Sequence, residues 1–264
     1  MMTSARRVFL TGASAGIGLA TARALCAHEC EVWGTSRDVS RLPQDLPRFH
    51  PLTLSLDDSG SIESAWIEAK SASGGIDVLI NNAGAGWFGA LAEMPEAKIR
   101  AQFESLVFGP LQLIRLALPE LCARKGLLIN VTSLAARLPI PFMAPYSAAK
   151  AALAALTATL RLELSGSGVR IVDLQPGDIR TNFNDAMQPP TDDQARVAWD
   201  AMATSMAGAP GPEIVATEIC RLVQSNEAPP TRIIGDFVQS RLAPLAARLL
   251  PTRWMERVLL DHYR

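Results

Sequence analysis

The chain has 264 residues, 25 basic and 26 acidic, and a formal net charge of −1. That length suits one α/β domain with a full core, and the charge leaves no basic field for nucleic acid. Four cysteines (Cys26, Cys30, Cys122, Cys220) form no CxxC pair and have no histidine at ligand spacing, so free thiols in a reducing compartment are expected. Met1–Arg7 is too short and polar for a signal peptide, and no apolar run reads as membrane-spanning. The expected location is the cytoplasm.

Along the chain, short β-branched runs alternate with helical patterns. Val8–Leu10 reads as a strand, Gly16–His28 as a helix and Glu31–Gly34 as a strand. Ser61–Ala72 (helix), Val78–Ile80 and Leu127–Val131 (strands), Ser147–Leu164 (helix) and Arg170–Leu174 (strand) follow. This alternation predicts a parallel sheet covered on both faces, with right-handed crossovers: a Rossmann-like doubly wound α/β fold, residues 1–264 as one domain. Residues 182–212 are polar, then rich in Met and Ala, and break the rhythm; they are expected to form a substrate lid. Residues 235–264 form a C-terminal extension.

Thr11-Gly12-Ala13-Ser14-Ala15-Gly16-Ile17-Gly18 follows the first strand and opens a helix. Glycines there let backbone approach a pyrophosphate, and the helix start offers free N–H groups and a positive dipole end. Gly12, Ser14, Ala15, Gly16, Ile17 and Gly18 are the candidate phosphate contacts. The second strand ends in Thr35-Ser36-Arg37. An Arg at this place suits a ribose 2′-phosphate, so Ser36 and Arg37 favour NADP(H) over NAD(H), although Asp38 follows directly. Tyr146 and Lys150 lie four apart on one helix face. A tyrosine titrates near 10 in water, and an ammonium one turn away favours its phenolate.

These motifs, with Asn81-Asn82-Ala83-Gly84, Ser133 and Pro176-Gly177-x-x-x-Thr181, resemble those of the short-chain dehydrogenase/reductase family. The likeness covers about the first 180 residues in the family's order of elements. It implies that Tyr146 is the acid/base, that Ser133 steadies the substrate oxygen, and that Lys150 lowers the tyrosine pKa and holds the nicotinamide ribose. It further implies that Asn82, Ala83 and Gly84 wall the cofactor site. Pro176, Gly177, Ile179 and Thr181 would meet its carboxamide and diphosphate. Two positions depart from the family. Ser55 stands where an acid usually meets the adenine, with Asp57 and Asp58 beyond it. Leu106, in Leu106-Val107-Phe108-Gly109-Pro110-Leu111, stands where an Asn helps hold a relay water.

Trp87, Phe88, Leu134, Leu138, Ile140, Pro141, Phe142 and Met143 lie where the fold presents its strand ends to a ligand, so an apolar carbonyl or alcohol is the expected substrate. Phe237–Tyr263 interleaves apolar residues with Arg241, Arg248, Arg253 and Arg257. Pro244 and Pro251 interrupt it, which favours a packed helix over a membrane-surface one. The resemblance implies a homodimer or homotetramer. The competing expectation is a cofactor-binding regulatory protein with impaired turnover, and Leu106 is what supports it.

Overall fold

The central strands bury apolar side chains on both faces because helices cover the sheet on both sides. The computed structural model describes residues 5–183, 187 and 189–263. Its strands are β1 Arg7–Leu10, β2 Glu31–Ser36, β3 Phe49–Thr53, β4 Val78–Asn81, β5 Leu127–Val131, β6 Arg170–Pro176 and β7 Thr231–Ile234. They form one parallel sheet in the order β3-β2-β1-β4-β5-β6-β7. The helices are α1 Gly16–Ala27, α2 Ser59–Ser73, α3 Glu96–Phe103, α4 Gly109–Arg124, α5 Ala144–Glu163, α6 Asp193–Gly208, α7 Glu213–Gln224, α8 Ala243–Leu249 and α9 Thr252–His262.

Alternate strand residues feed two cores. On one face Val8, Leu10, Val78 and Ile80 pack with Ala22 and Leu25 of α1 and Val215 and Ile219 of α7. On the other, Phe9, Leu79 and Leu128 pack with Trp66 of α2 and Leu113, Ile114, Ala117 and Leu121 of α4. Cys26, Cys30 and Cys220 are buried, and desolvation pushes the Cys26 and Cys220 thiols up to about 12, as expected of inert core thiols.

Several boundaries shift from the sequence reading. The helix that carries Tyr146 and Lys150 begins at Ala144, not Ser147, because Pro145 is tolerated in a first helical turn. Asp58 caps α2 by accepting from the Gly60 and Ser61 amides, so that helix starts two residues early. The short edge strand β7, after Pro229-Pro230, carries little pattern of its own and was not anticipated. Glu96–Arg124 is one continuous helical run of 29 residues that contains an 18-residue stretch of mean hydropathy 1.4, long and apolar enough to span a bilayer by that measure alone. Contrary to the expectation, such a run exists. It is a core helix, since its α4 portion packs on the sheet. A π-helical turn at Glu104–Phe108 joins α3 to α4 within it. The expected lid contains α6; residues 184–186 and 188 of that stretch lie outside the described residues.

The two ends of the sheet differ. At the amino end Asp77 binds Arg7 at 3.0 Å and Arg124 at 3.1 Å, which ties β1, β4 and α4 together. Toward the carboxyl end a buried amide ladder takes over. Asn81 Nδ2 donates to Asn130 Oδ1 at 2.8 Å, and Asn130 Nδ2 donates to Thr157 Oγ1 at 2.8 Å. This ladder sets β4, β5 and α5 in register beneath the open crevice. Removing its middle member strands buried polar groups on both sides. Asn130→Ala should therefore destabilise the protein by about 2–3 kcal/mol. A lower urea midpoint with an unchanged slope is the expected result.

Candidate active site

The strand order reverses between β1 and β4, so the loops leaving their carboxyl ends diverge and leave a crevice. The Gly-rich loop enters it from β1. Gly12 has φ +72°, and a Cβ there would stand 2.8 Å from Ala83 Cα. A Cβ on Gly18 would meet the Gly12 carbonyl oxygen at 1.9 Å. Both positions need glycine for the loop to close. Asn82 locks the loop to β4: its Nδ2 donates to Thr11 O at 3.0 Å and to Gly12 O at 3.3 Å. The amides of Asn82 and Ala83 both donate to Thr11 Oγ1. Ser14, Ala15 and Ile17 are half-buried along the loop and the first turn of α1. No side chain caps α1, and its first turn holds no acid. Its leading N–H groups thus fit an anionic ligand. Thr181 reaches the loop from beyond β6, its Cβ 3.2 Å from where a Cβ on Gly16 would stand.

At the end of β2, Ser36 is half-buried and Arg37 is exposed. Asp38 does not point its carboxylate freely at this edge. It caps the turn Val39–Arg41, accepting from the Ser40 amide at 3.0 Å and from Ser40 Oγ at 2.6 Å, and these bonds hold it below its ordinary pKa. Ser55 Oγ donates to Asp57, so its hydroxyl is engaged rather than free. Asp57 is held below its usual value by that bond and, to a smaller degree, by Arg37. Asp58 is spent on the α2 cap.

Ser133, Tyr146 and Lys150 converge where β5, α5 and β6 meet. Tyr146 is 8 % exposed and Lys150 5 %. Lys150 Nζ donates to the Val131 carbonyl at 2.8 Å and lies 5.9 Å from the Tyr146 ring centroid. Ser133 caps a short 3-10 turn by accepting from the Ala135 amide at 3.1 Å, and its Oγ lies 3.5 Å from the Pro176 carbonyl. Burial pushes Tyr146 up to about 12, and the facing Ser133 hydroxyl offsets part of that rise. Burial also pushes Lys150 down to about 8, opposed by the charge of Asp173. Sequence spacing led us to expect a phenolate favoured by Lys150. Desolvation by burial is the larger influence on Tyr146, and it raises the pKa rather than lowering it.

Asp173 was not anticipated. This buried carboxylate on β6 accepts from Thr132 Oγ1 and, at 2.6 Å, from Gln175 Nε2. No local motif announces it; only the β5–β6 register, which pairs Asn130 with Asp173, brings it beside Lys150. Leu106 lies in the π-helical turn, fully buried. Its Cδ2 is 2.8 Å, and Lys150 Nζ 3.7 Å, from where a Cβ on Gly84 would stand. The departure from the family therefore sits against Gly84, on the side where Lys150 approaches.

Of the expected substrate wall, Phe88, Ile140, Phe142 and Met143 join Tyr146 in one apolar cluster, together with Met187 and with Trp199, Met202 and Met206 of α6. Trp87 instead lies under Lys98 Nζ, 5.4 Å from its ring centroid, and Leu134, Leu138 and Pro141 stay outside that cluster. Beyond β6, Gly177 N donates to Ile234 O at 2.7 Å, and Ile179 buries its side chain in the core. Between them Asp178 Oδ2 accepts from Ser205 Oγ of α6 at 2.5 Å and from Gln239 Nε2 at 2.8 Å.

A buried ammonium has a thermodynamic consequence. Because the native pKa of Lys150 is lowered, the unfolded chain binds that proton more tightly, and the penalty is fully present below about pH 8. It fades as pH rises from about 8 to about 10.5, where both states become neutral. Lys150→Met removes this titration and also leaves Asp173 and the Val131 carbonyl without their partner. In thermal melts the stability of wild type relative to the variant should therefore rise as pH goes from about 8 to about 10.5; a difference independent of pH would contradict the assignment.

Comparison with known proteins agrees with this architecture. A family model described as short chain dehydrogenase matches residues 6–192. The chain is 35 % identical over 179 residues to a 3-ketodihydrosphingosine reductase of Bacteroides thetaiotaomicron, covering 67 % of this chain but 65 % of that protein, less than two thirds of its length. It is 31 % identical over 240 residues to a short-chain dehydrogenase of Penicillium ochrochloron, covering 89 % and 86 % of the two chains. The crystal structure of a short-chain dehydrogenase from Streptomyces avermitilis superposes with a TM-score of 0.83 at 31 % identity, over 98 % of each chain. The chain belongs to the short-chain dehydrogenase/reductase family of oxidoreductases.

Proposed function

We propose that the protein interconverts an apolar ketone or aldehyde and its alcohol with NADP(H), using Ser133, Tyr146 and Lys150. The observation that carries this reading is the convergence of these three side chains beside a buried apolar cluster that includes Tyr146. The Gly-rich loop, Ser36 and Arg37, Asn82–Gly84 and the segment Pro176–Thr181 border one crevice and would hold the dinucleotide. When bound, the nicotinamide supplies or accepts the hydride.

The chain's own groups manage the proton. Tyr146 holds its proton at neutral pH and stands ready to deliver it to the carbonyl oxygen, which suits the reducing direction. The Ser133 hydroxyl donates to the same oxygen. Lys150, fixed by the Val131 carbonyl, presents its remaining donors to the ribose and to the tyrosine. Phe88, Phe142, Met143 and Met202 exclude water from the reacting carbon. The similarity to a reductase of 3-ketodihydrosphingosine adds weight to a ketone with an apolar body.

Leu106 favours a second reading, in which the chain binds cofactor for regulation and turns over poorly. We prefer the enzyme, because the π-helical turn interrupts the regular ladder just where a main-chain carbonyl at 106 is needed for a relay water. The oligomer implied by the family resemblance and the cytoplasmic location belong to the same proposal.

Arg37 discriminates the cofactor. With Asp38 occupied by its cap, the guanidinium is the charge that a 2′-phosphate would meet. Screened over apolar ketones, the wild type should consume NADPH in preference to NADH. Arg37→Asp should raise the KM for NADPH by about tenfold or more and leave that for NADH within about twofold. A wild type that prefers NADH would overturn this part of the proposal.

A further inference from the structure

The end of the chain leaves an apolar strip uncovered. Among the described residues, nine of the sixteen large hydrophobic side chains that are exposed fall between Phe237 and Leu260. Scattered single exposures are ordinary, but a concentration of this kind marks a contact surface. In and just after α9, Met255, Leu259 and Tyr263 recur every four residues and are half-buried, and Tyr263 packs on the apolar cluster of the body. Trp254 and Val258 widen the same apolar stripe sideways, and Trp254 is 61 % exposed. In α8, Leu245 and Leu249 stand one turn apart, and Leu249 is 70 % exposed. The sequence expectation is a helix packed over the substrate mouth or a neighbouring subunit; packing on the body engages Tyr263 and leaves Leu245, Leu249, Trp254 and Val258 exposed.

Charge selects the occupant. Residues 237–264 carry Arg241, Arg248, Arg253, Arg257 and Arg264 against Glu256 and Asp261, in a chain whose net charge is −1. A second copy seated face to face would bring this arginine-rich strip against itself. An anionic bilayer answers the apolar side chains and the arginines together.

We propose that the C-terminal segment Phe237–Tyr263 docks the protein on an anionic lipid surface, with its apolar side chains in the headgroup boundary and its arginines at the lipid phosphates. The surface adjoins the candidate site. Tyr263, which follows α9, packs on the cluster that holds Trp199, Met206 and Tyr146. A substrate with a hydrocarbon body would thus pass from lipid to an apolar wall. That passage rests on the proposed function; the docking does not.

The test is flotation of the full-length protein with vesicles of phosphatidylcholine alone and of phosphatidylcholine mixed equally with phosphatidylglycerol. Wild type should float with the mixed vesicles, far less with the neutral ones, and less again at high salt. Leu249→Glu combined with Trp254→Glu should weaken binding by about tenfold or more while leaving the melting temperature unchanged, since both side chains are exposed. Arg253→Glu with Arg257→Glu provides a second route, weakening binding to mixed vesicles without touching the apolar row. A wild type that stays soluble with both vesicle types would overturn the proposal, as would variants that float like wild type. A wild-type mass in solution of two chains, reduced to one by the glutamates with no vesicle binding by either, would assign the strip to a second copy. Ketone reduction measured without vesicles reports separately on the active site.

Discussion

A lysine held out of water at the carboxyl end of β5 is the constraint around which this molecule is arranged. An ammonium in such a place is costly unless it is bonded and balanced. The Val131 carbonyl bonds it, Asp173 on the neighbouring strand balances it, and Gly84 leaves the side on which it can meet a ligand. Each partner comes from a different element, so the site exists only when β4, β5, β6 and α5 are in register. The amide ladder Asn81–Asn130–Thr157 supplies that register a few ångströms away. The proposed reaction thus needs an ammonium whose burial the fold has to offset.

The same economy links the cofactor loop to the outer elements. Asp178 lies in the loop after β6, between Gly177 and Ile179. Its amide donates to Gln239 Oε1 at 2.8 Å while its carboxylate accepts from Gln239 and from Ser205. One carboxylate therefore joins the loop, helix α6 and the start of the C-terminal segment. Burial, and the nearby charge of Asp178, push the Tyr263 phenol well above its usual pKa, so it too remains neutral where it packs.

What was legible in the sequence is what is local. Gly12, Gly18 and the Tyr146/Lys150 pair announce themselves because a tight turn or one helical turn fixes their geometry within a few residues. The alternation of strands and helices, and hence the doubly wound sheet, was legible for the same reason. Asp173 and Asn130 were not, because Lys150 and Thr132 for the one, and Asn81 and Thr157 for the other, lie 23 to 49 residues away and only the fold brings them together. The rise in the Tyr146 pKa on burial was not legible, because spacing reports the nearby lysine and not the loss of water around both groups. Trp87 and Phe88 are neighbours of like chemistry, yet one lies under Lys98 and the other enters the pocket. Which of two adjacent aromatics turns inward is decided by the backbone path, not by composition.

The central claim is that Tyr146 delivers a proton in a working enzyme despite Leu106. It is tested most directly by single-turnover hydride transfer from NADPH to one apolar ketone, followed by the loss of nicotinamide absorbance. The account predicts that the wild type oxidises its bound NADPH in one burst. Tyr146→Phe should bind NADPH with an affinity near wild type and transfer hydride slower by about two to four orders of magnitude. A silent wild type beside an active Leu106→Asn variant would contradict the account and identify the chain as a cofactor-binding protein that has lost turnover.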